Sequence, residues 1–595
     1  MSIFDDLLAA LERLRSGAAS DSDRATLRTA RLAGQIVVVG NRNVVAGRDI
    51  RDSTITIGDI IIRGETAEAM AAALEQFFPT RLHTLRPPPA NFTGRQQELD
   101  DLAEHATPTS VHISGSSDGI SRGVGGIRGT GGVGKTALAL VLAHRLAADY
   151  PDAALDINLR ASDGADDSPR DAQVRIIHAF LPAAHIPDND DELADLYRST
   201  LNGKRGLLLL DDVLNGSQVR SLMPPTTWAL LVTSRQRFDV DGLYDVNLDV
   251  LPSDDARVLL QKIVPDLSDD HADQIAELCG WLPLALTLAG SALKRRRGLT
   301  PREYIERLEA EDVRIQRLDR SLRHNPQARG LEATFEVSYG YLAPEVQALW
   351  CELGAFAGSF DALAAAAVWN QLPQDDDVTE AAYRAAVGDA RDTLIELDEY
   401  SLLEADQDGR YRMHDLVRLF ADRHRTDPGR DAAARRHAHH FLAVLSFAEE
   451  LFLQGNDAAV TGLAIVDREW PNILAGQAWA ATHAASDDDA ARMTIAYATV
   501  APNILNLRLH PRDWIDVLQA GRDAASRVSD RATEGVLLGN LGSAYADLGD
   551  PRRAIELYEQ QLVIVREIGD RRGEGAALGN LGSAYADLGD PRRAI

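Results

Sequence analysis

The stretch Gly129-Thr130-Gly131-Gly132-Val133-Gly134-Lys135-Thr136 matches G-x-x-x-x-G-K-[ST] in full, and nothing else in the chain restricts so tightly what it can fold into. Glycines at 129, 131, 132 and 134 let successive backbone N–H groups turn inward around phosphate oxygens. Lys135 supplies a point charge, and the Thr136 hydroxyl suits a magnesium ion. Residues 137–146 are rich in Ala and Leu and hold neither Gly nor Pro, so a helix begins where phosphates would sit, with Ala137 in its first turn. A loop of this kind implies a parallel α/β sheet with a nucleotide at the carboxyl ends of its strands. The strand expected to lead in, Val124-Gly125-Gly126-Ile127, is weak for a buried parallel strand.

At 595 residues the chain is too long for one core, and about four domains are expected. Its 90 acidic and 62 basic residues leave a net charge of −28, which opposes a broad footprint on nucleic acid or anionic lipid. Cys279 and Cys351 are the two cysteines, too few for a disulfide framework or a zinc site, and both read as small core residues. The start, Met1 to Asp6, lacks a basic signal-peptide region, and no apolar run approaches the ~18 residues of a membrane span. The expected location is cytoplasmic.

Apolar residues at helical spacing (Ile3, Leu7, Leu8, Leu11, Leu14) mark a first helix over 3–15, and a weaker one follows at 23–32. Between Gly34 and Ile62, short β-branched runs broken by Gly-Asn and Gly-Asp indicate brief strands, either a small β module or a solenoid-like coil. No catalytic set stands out there. Residues 65–78 form another Ala-rich helix, and Arg86-Pro87-Pro88-Pro89-Ala90 reads as a stiff linker at a domain boundary. A helix is expected to run to about Ala106, with a candidate strand at Val111–Ser114. Beyond the phosphate loop, strands at 153–159, 206–210 and 228–233 alternate with helices at 171–180 and 191–201, which argues for a parallel sheet covered on both faces.

Leu207-Leu208-Leu209-Leu210-Asp211-Asp212 is an apolar strand ending in two carboxylates. There Asp211 can hold Mg²⁺, directly or through water, and Asp212 can orient a water. Leu230 to Arg235 is a further strand with a basic tip, where Arg235 can sense a γ-phosphate. Pro283 lies within an apolar helical run from Ile275 to Leu293, where a proline costs about 3 kcal/mol unless it starts a turn or kinks the helix. Asp415 reads as a helix cap before Leu416, Leu419 and Phe420, which puts His414 at a strand-to-helix junction.

These blocks, in this order, resemble the NB-ARC group of STAND ATPases, which includes plant disease-resistance proteins and apoptosome-forming factors. Phe92-Thr93-Gly94-Arg95 resembles the motif that opens the domain in that group, which implies nucleotide contacts at Phe92, Gly94 and Arg95. Gly129 to Thr136 and Leu207 to Asp212 are similar to the two Walker motifs, and Thr233-Ser234-Arg235 to the sensor. Gly280-Trp281-Leu282-Pro283-Leu284-Ala285 resembles the Gly-Leu-Pro-Leu motif, and Met413-His414-Asp415 the Met-His-Asp motif. Both imply contacts to nucleotide, at Pro283 and His414. The resemblance spans about 91–422. It implies ATP/ADP as cofactor with Mg²⁺ on Thr136 and Asp211, and slow ATPase chemistry using Asp211 and Asp212. Val133, Gly134, Lys135, Thr136 and Ala137 would cradle the nucleotide.

Residues 539–555 recur unchanged at 579–595, a period of 40. Each copy reads helix, turn, helix, with Asp550 as cap and Pro551 at the first helical position. This resembles a tetratricopeptide array, expected to continue past the end of a truncated chain. The expected architecture is multidomain, α/β plus α. It comprises a small α+β N-terminal module (1–63), a helix and Pro-rich linker (64–90), a P-loop parallel α/β domain (91–247) and a helical subdomain (248–325). A winged helix (326–430), a helical spacer or degenerate repeats (431–530) and an α-helical repeat solenoid (531–595) complete it. The resemblance implies a signalling switch, closed with ADP and triggered by a protein or other ligand on the repeats. ATP would then drive homo-oligomerisation and recruit an effector through the N-terminal module, as in antiphage defence. A transcriptional regulator of the same class and a non-hydrolysing scaffold are the alternatives; neither a membrane nor nucleic acid is an expected partner under the main reading.

Overall fold

The computed structural model describes residues 36–39, 53–57, 60–64 and 82–594, apart from 107–123, 160–167, 182–183, 185, 239, 241, 297, 319–324, 374–378, 407, 426 and 591. The helices expected at 3–15, 23–32 and 65–78 and the strand at 111–114 lie outside the described residues. Two compact units divide the chain: Arg81–Ala172 with Leu201–Ala433, and Met1–Thr80 with Gln173–Thr200 and Ala434–Ile595.

In the second of these units, β1 (Ile36–Val39), β2 (Ser53–Ile57) and β3 (Ile60–Gly64) pair antiparallel, with Ile36 opposite Ile57 and Ile55 opposite Ile62. Antiparallel neighbours make a meander, which replaces the solenoid-like alternative, since coils of a solenoid stack in parallel.

The unit that holds the phosphate loop is built on a six-stranded, wholly parallel sheet. It starts with β4 (Leu82–His83), then α1 (Gln96–Ala106), β5 (Val124–Arg128), α2 (Lys135–Leu146) and β6 (Ala153–Asn158). Two helices follow in the chain, α3 (Pro169–Phe180) and α4 (Asp190–Leu201), which from Gln173 to Thr200 belong to the other unit. The sheet is completed by β7 (Gly206–Val213), β8 (Ala229–Ser234) and β9 (Leu243–Asn247), with α5 (Gly216–Ser221) between β7 and β8. Strand order is β4-β6-β7-β8-β5-β9. β5, weak by composition, is hydrogen-bonded on both sides, to β8 and β9. Its glycines explain this: a Cβ on Gly126 would stand 2.9 Å from Leu243 Cδ1, so the missing side chain is what lets the β9 side chain lie over the strand. β9, which no sequence signal marked, is half-exposed at the sheet edge and alternates apolar and polar residues only loosely.

Next come α6 (Ser253–Ile263), α7 (Asp269–Leu278), α8 (Pro283–Arg295) and α9 (Pro301–Leu318). Pro283 is therefore not interior to a helix. It occupies the first turn of α8, where its missing N–H costs nothing, after a turn in which Gly280 and Trp281 both take positive φ (63° and 53°). A winged-helix segment follows: α10 (Pro326–Tyr339), α11 (Pro344–Glu352), α12 (Ala362–Val368), α13 (Glu380–Glu399), the antiparallel pair β10 (Glu404–Ala405) and β11 (Tyr411–Arg412), and α14 (Asp415–His424). Phe420 of α14 packs against Phe335 of α10 (ring centroids 5.2 Å apart) and Trp350 of α11 (6.0 Å), which fixes the helix by aromatic burial.

The remaining helices are α15 (Asp427–Gln454), α16 (Asn456–His483), α17 (Asp488–Thr499), α18 (Pro502–Arg508), α19 (Pro511–Arg527), α20 (Arg531–Asp547), α21 (Pro551–Glu567) and α22 (Arg571–Asp587). In the repeat, Gly542 admits the Tyr558 ring, whose Cε1 would be 2.5 Å from an added Cβ, and Ala554, Ile555, Tyr558, Leu581 and Ala584 form one core. Successive helices thus bury their apolar faces on each other, as stacked helical repeats must. Among the described residues no helix is long and apolar enough to cross a membrane.

Candidate functional site

The loop between β5 and α2 takes its shape from its glycines. Gly134, immediately before α2, has φ 94°, a left-handed conformation open to glycine at little cost. The Lys135 ammonium is drawn back to the loop, donating to the Gly129 and Thr130 carbonyls at 2.9 Å each. Burial pushes this lysine down to about 8, with the nearby Arg235 adding to the effect and Asp212 and Asp211 opposing it. Val133 is buried beneath the loop, while Thr136 and Ala137 are half-buried in the first turn of α2.

β7 does not end at the two carboxylates but runs through them to Val213, and its pairing with β8 shifts register between Leu210 and Val213. Asp212 sits in that irregularity with φ 56°. A bulge of this kind re-aims side chains at a strand's end. Asp211 Oδ1 accepts from the Thr136 hydroxyl at 2.8 Å and the Thr233 hydroxyl at 2.6 Å. The Asp212 backbone N–H donates to Thr233 Oγ1 at 2.9 Å, and the Asp212 carboxylate faces Arg235 Nε at 3.7 Å. The sensor-like tip of β8 therefore reaches both carboxylates.

Two residues that sequence reading passed over complete this cluster. Arg86, read as the start of a spacer, donates from its guanidinium to Asp211 Oδ2 at 2.8 Å and to Asp156 Oδ1 at 3.0 Å. Asp156 and Asp211 side chains are only 3% and 4% exposed. Burial pushes the Asp211 carboxyl up, but Arg86 and the Thr233 and Thr136 hydroxyls more than offset this and leave it at about 2. Burial likewise disfavours the Arg86 cation, and Asp156 with Asp211 reverses that, raising its proton affinity above the ordinary arginine range. A charged residue inside the otherwise apolar β6 was the available signal for Asp156. Arg86 had none, because its partners lie 70 and 125 residues away.

Gly94 and Arg95 both have positive φ (69° and 65°), and the Arg95 guanidinium is committed to Glu98 at 2.9 Å and to the Asp249 carbonyl. Arg95 thus braces the loop that carries Phe92, whose carbonyl accepts from Lys262 Nζ at 3.1 Å. Pro283 and Leu284 lie over the phosphate loop: the Leu284 N–H reaches the Gly132 carbonyl at 3.4 Å, and Pro283 Cγ would lie 3.7 Å from a Cβ on Gly134. Leu416 of α14 closes a third side, 3.1 Å from where a Gly131 Cβ would be. His414, rather than Asp415, is the cap of α14. Its Nδ1 accepts from the Leu416 N–H at 3.2 Å, so the neutral ring carries its proton on Nε2, the tautomer able to donate to an anion.

The donor set fits a nucleotide with a divalent cation. The Thr136 hydroxyl and Asp211 carboxylate are hard oxygen donors side by side. Among the described residues no cluster of three or more His, Cys, Asp or Glu side chains forms an all-protein cage. The Thr136–Asp211 pair suits Mg²⁺, which typically takes one or two protein oxygens together with phosphates and water.

Family models match at two places, the NB-ARC domain at residues 115–270 and the tetratricopeptide repeat at residues 533–595. Regulatory protein AfsR of Streptomyces coelicolor is 38% identical over 371 residues, covering 60% of this chain and 34% of that protein. The AfsR of Streptomyces griseus is 36% identical over 340 residues (56% and 32%). A disease resistance protein of Arabidopsis thaliana is 24% identical over 349 residues (53% and 33%). The chain therefore spans about a third of the length of these relatives. Among solved structures, a signal transduction ATPase with a tetratricopeptide repeat sensor from Pyrococcus horikoshii aligns over 86% of this chain and 82% of its own, with 15% identity and a TM-score of 0.40.

Proposed function

We propose that this chain, which joins an NB-ARC domain at residues 115–270 to tetratricopeptide repeats at residues 533–595, is a nucleotide-controlled signalling switch. The observation that carries the reading is the convergence on one phosphate loop. Gly131, Gly132 and Gly134 are met by Leu416 from the winged helix and by Pro283 and Leu284 from the helical subdomain. A ligand that touches all three at once favours the arrangement in which they are together, and its differential affinity sets the bias.

In this reading ADP favours the closed form. The loop amides and Lys135 hold its phosphates, and His414 donates from Nε2 while capping α14. Mg²⁺, when bound, neutralises phosphate charge beside Thr136 and Asp211. Asp212 and Arg235 stand where a third phosphate would be sensed. A protein or other ligand on the repeats releases the closure, ATP replaces ADP, and the chains assemble and recruit an effector through the N-terminal module, as a defence system would require. Hydrolysis is slow and resets the state. Phe92, Gly94, Arg95, Val133 and Ala137 complete the nucleotide contacts.

Denaturing the purified protein and identifying the released nucleotide tests this. ADP in near-equal amount is the expected result; absence of any adenine nucleotide, bound or bindable, refutes it and favours a non-hydrolysing scaffold. A second reading, an ATP-dependent regulator of transcription, draws on the 38% identity to a protein named as regulatory. Specific retention of an operator duplex by the full chain would establish it, against the opposing charge of −28.

A further inference from the structure

The segment that carries Arg86 is docked rather than free. β4 lies parallel to β6 at the sheet edge, with the Leu82 N–H donating to the Asp152 carbonyl at 3.1 Å and the Thr84 N–H to the Ala154 carbonyl at 2.9 Å. The Asp156 N–H returns a bond to the Thr84 hydroxyl at 3.2 Å, and the Arg86 carbonyl lies 2.8 Å from His144 Nε2 on α2. Backbone bonds on both sides of Leu85 thus aim the guanidinium at Asp156 and Asp211.

Arginine stays charged throughout the physiological range, so this pairing sets a permanent cation on the carboxylate that stands next to the Thr136 hydroxyl. Both oxygens of Asp211 are engaged, Oδ1 by two hydroxyls and Oδ2 by Arg86. A second cation arriving at Asp211 meets the repulsion of the first and must recruit an oxygen that already has a donor.

We propose that Arg86 is an internal cation of the nucleotide site, competing with a divalent metal for Asp211, so that metal binding is linked to release of the segment 82–86 from the sheet edge. The proposal rests on reading Thr136 and Asp211 as the metal-binding pair of a nucleotide site. Linkage is reciprocal, so whatever pulls on the chain ahead of Leu82 changes metal affinity by the same factor that metal changes the docking of that chain.

The test uses the full chain saturated with ADP, with Mn²⁺ as the spectroscopic probe and free Mn²⁺ read by electron paramagnetic resonance. Arg86→Ala is expected to bind Mn²⁺ about tenfold more tightly, the worth of one charge-assisted hydrogen bond. Equal or weaker binding overturns the proposal. The wild-type protein gives a readout that does not depend on the variant folding: adding Mn²⁺ to the ADP complex is expected to speed amide exchange at Leu82 and Thr84. Unchanged exchange overturns the linkage. Failure of both proteins to bind Mn²⁺ with ADP overturns the metal-nucleotide reading itself along with the proposal. Tight, equal Mn²⁺ binding by both overturns the role of Arg86 alone.

Discussion

Replacing His414 separates two jobs of one side chain, the helix cap that the structure shows and the phosphate contact proposed above. Its Nδ1 caps α14 through the Leu416 N–H at 3.2 Å, and Leu416 is the residue that lies on Gly131. A side-chain cap is worth about 1 kcal/mol, a factor of about five in the population of the docked helix. A bond from Nε2 to phosphate is charge-assisted and adds about 1.5–3 kcal/mol, or roughly a further ten- to hundredfold. His414→Asn keeps a strong cap and removes the imidazole, so ADP release should quicken by about the second factor alone. His414→Ala removes both and should release ADP about five times faster again, with more self-association in sedimentation. Release is measured by chasing a fluorescent ADP analogue, with helix content checked by circular dichroism. Release from both variants within about twofold of wild type would refute the reasoning, because neither the cap nor the imidazole would then bear on the nucleotide.

Three further outcomes follow from other parts of the molecule. Asp211 is held at about 2 against an ordinary 3.8, so its contribution is fully present above about pH 4 and is lost as pH falls towards about 2. That contribution is about 2 kcal/mol, and Asp211→Asn should flatten acid-induced loss of stability in this window, followed by tryptophan fluorescence. Gly126→Val drives a side chain into Leu243, 2.9 Å from the new Cβ, and should destabilise the sheet by about 1–3 kcal/mol; an unchanged urea midpoint would contradict the packing described for β5 and β9. The buried Glu449 carboxylate accepts from the Asn503 N–H at 3.3 Å, the Asn503 side chain at 2.6 Å and the Ile504 N–H at 3.2 Å, at the start of α18. Glu449→Ala should cost about 1–3 kcal/mol and raise amide exchange in 503–505, as loss of a charged acceptor at a helix N-terminus requires.

Pro283 and Asp415 show where one-dimensional reading loses precision. Both lie in apolar stretches with helical spacing, and spacing alone does not say where one helix stops and the next begins. The break at Gly280 and Trp281 depends on a backbone turn locked by α10: a Cβ on Gly280 would stand 2.8 Å from Gln327 Cα. Similarly, the cap of α14 falls on His414 because its backbone is extended (φ −60°, ψ 140°) and its ring turns back to the Leu416 N–H.

What the sequence alone determined is local chemistry at fixed spacing. The glycines, Lys135 and Thr136 are contiguous, and a phosphate-binding loop needs only contiguity. The run Leu207–Leu210 before Asp211 announces a buried strand, and the 40-residue repeat announces stacked helices, because in each case the determining contacts lie within a few turns or strands of chain. The tertiary structure decided everything that depends on partners distant in sequence. It made the glycine-rich, weak-looking lead strand β5 a paired strand between β8 and β9, brought Leu416 to Gly131, and set Arg86 on Asp211. A charge on a Pro-rich stretch reads as solvated until the sheet edge it lies along is known, since its two carboxylates exist as a pair only once β6 and β7 are side by side.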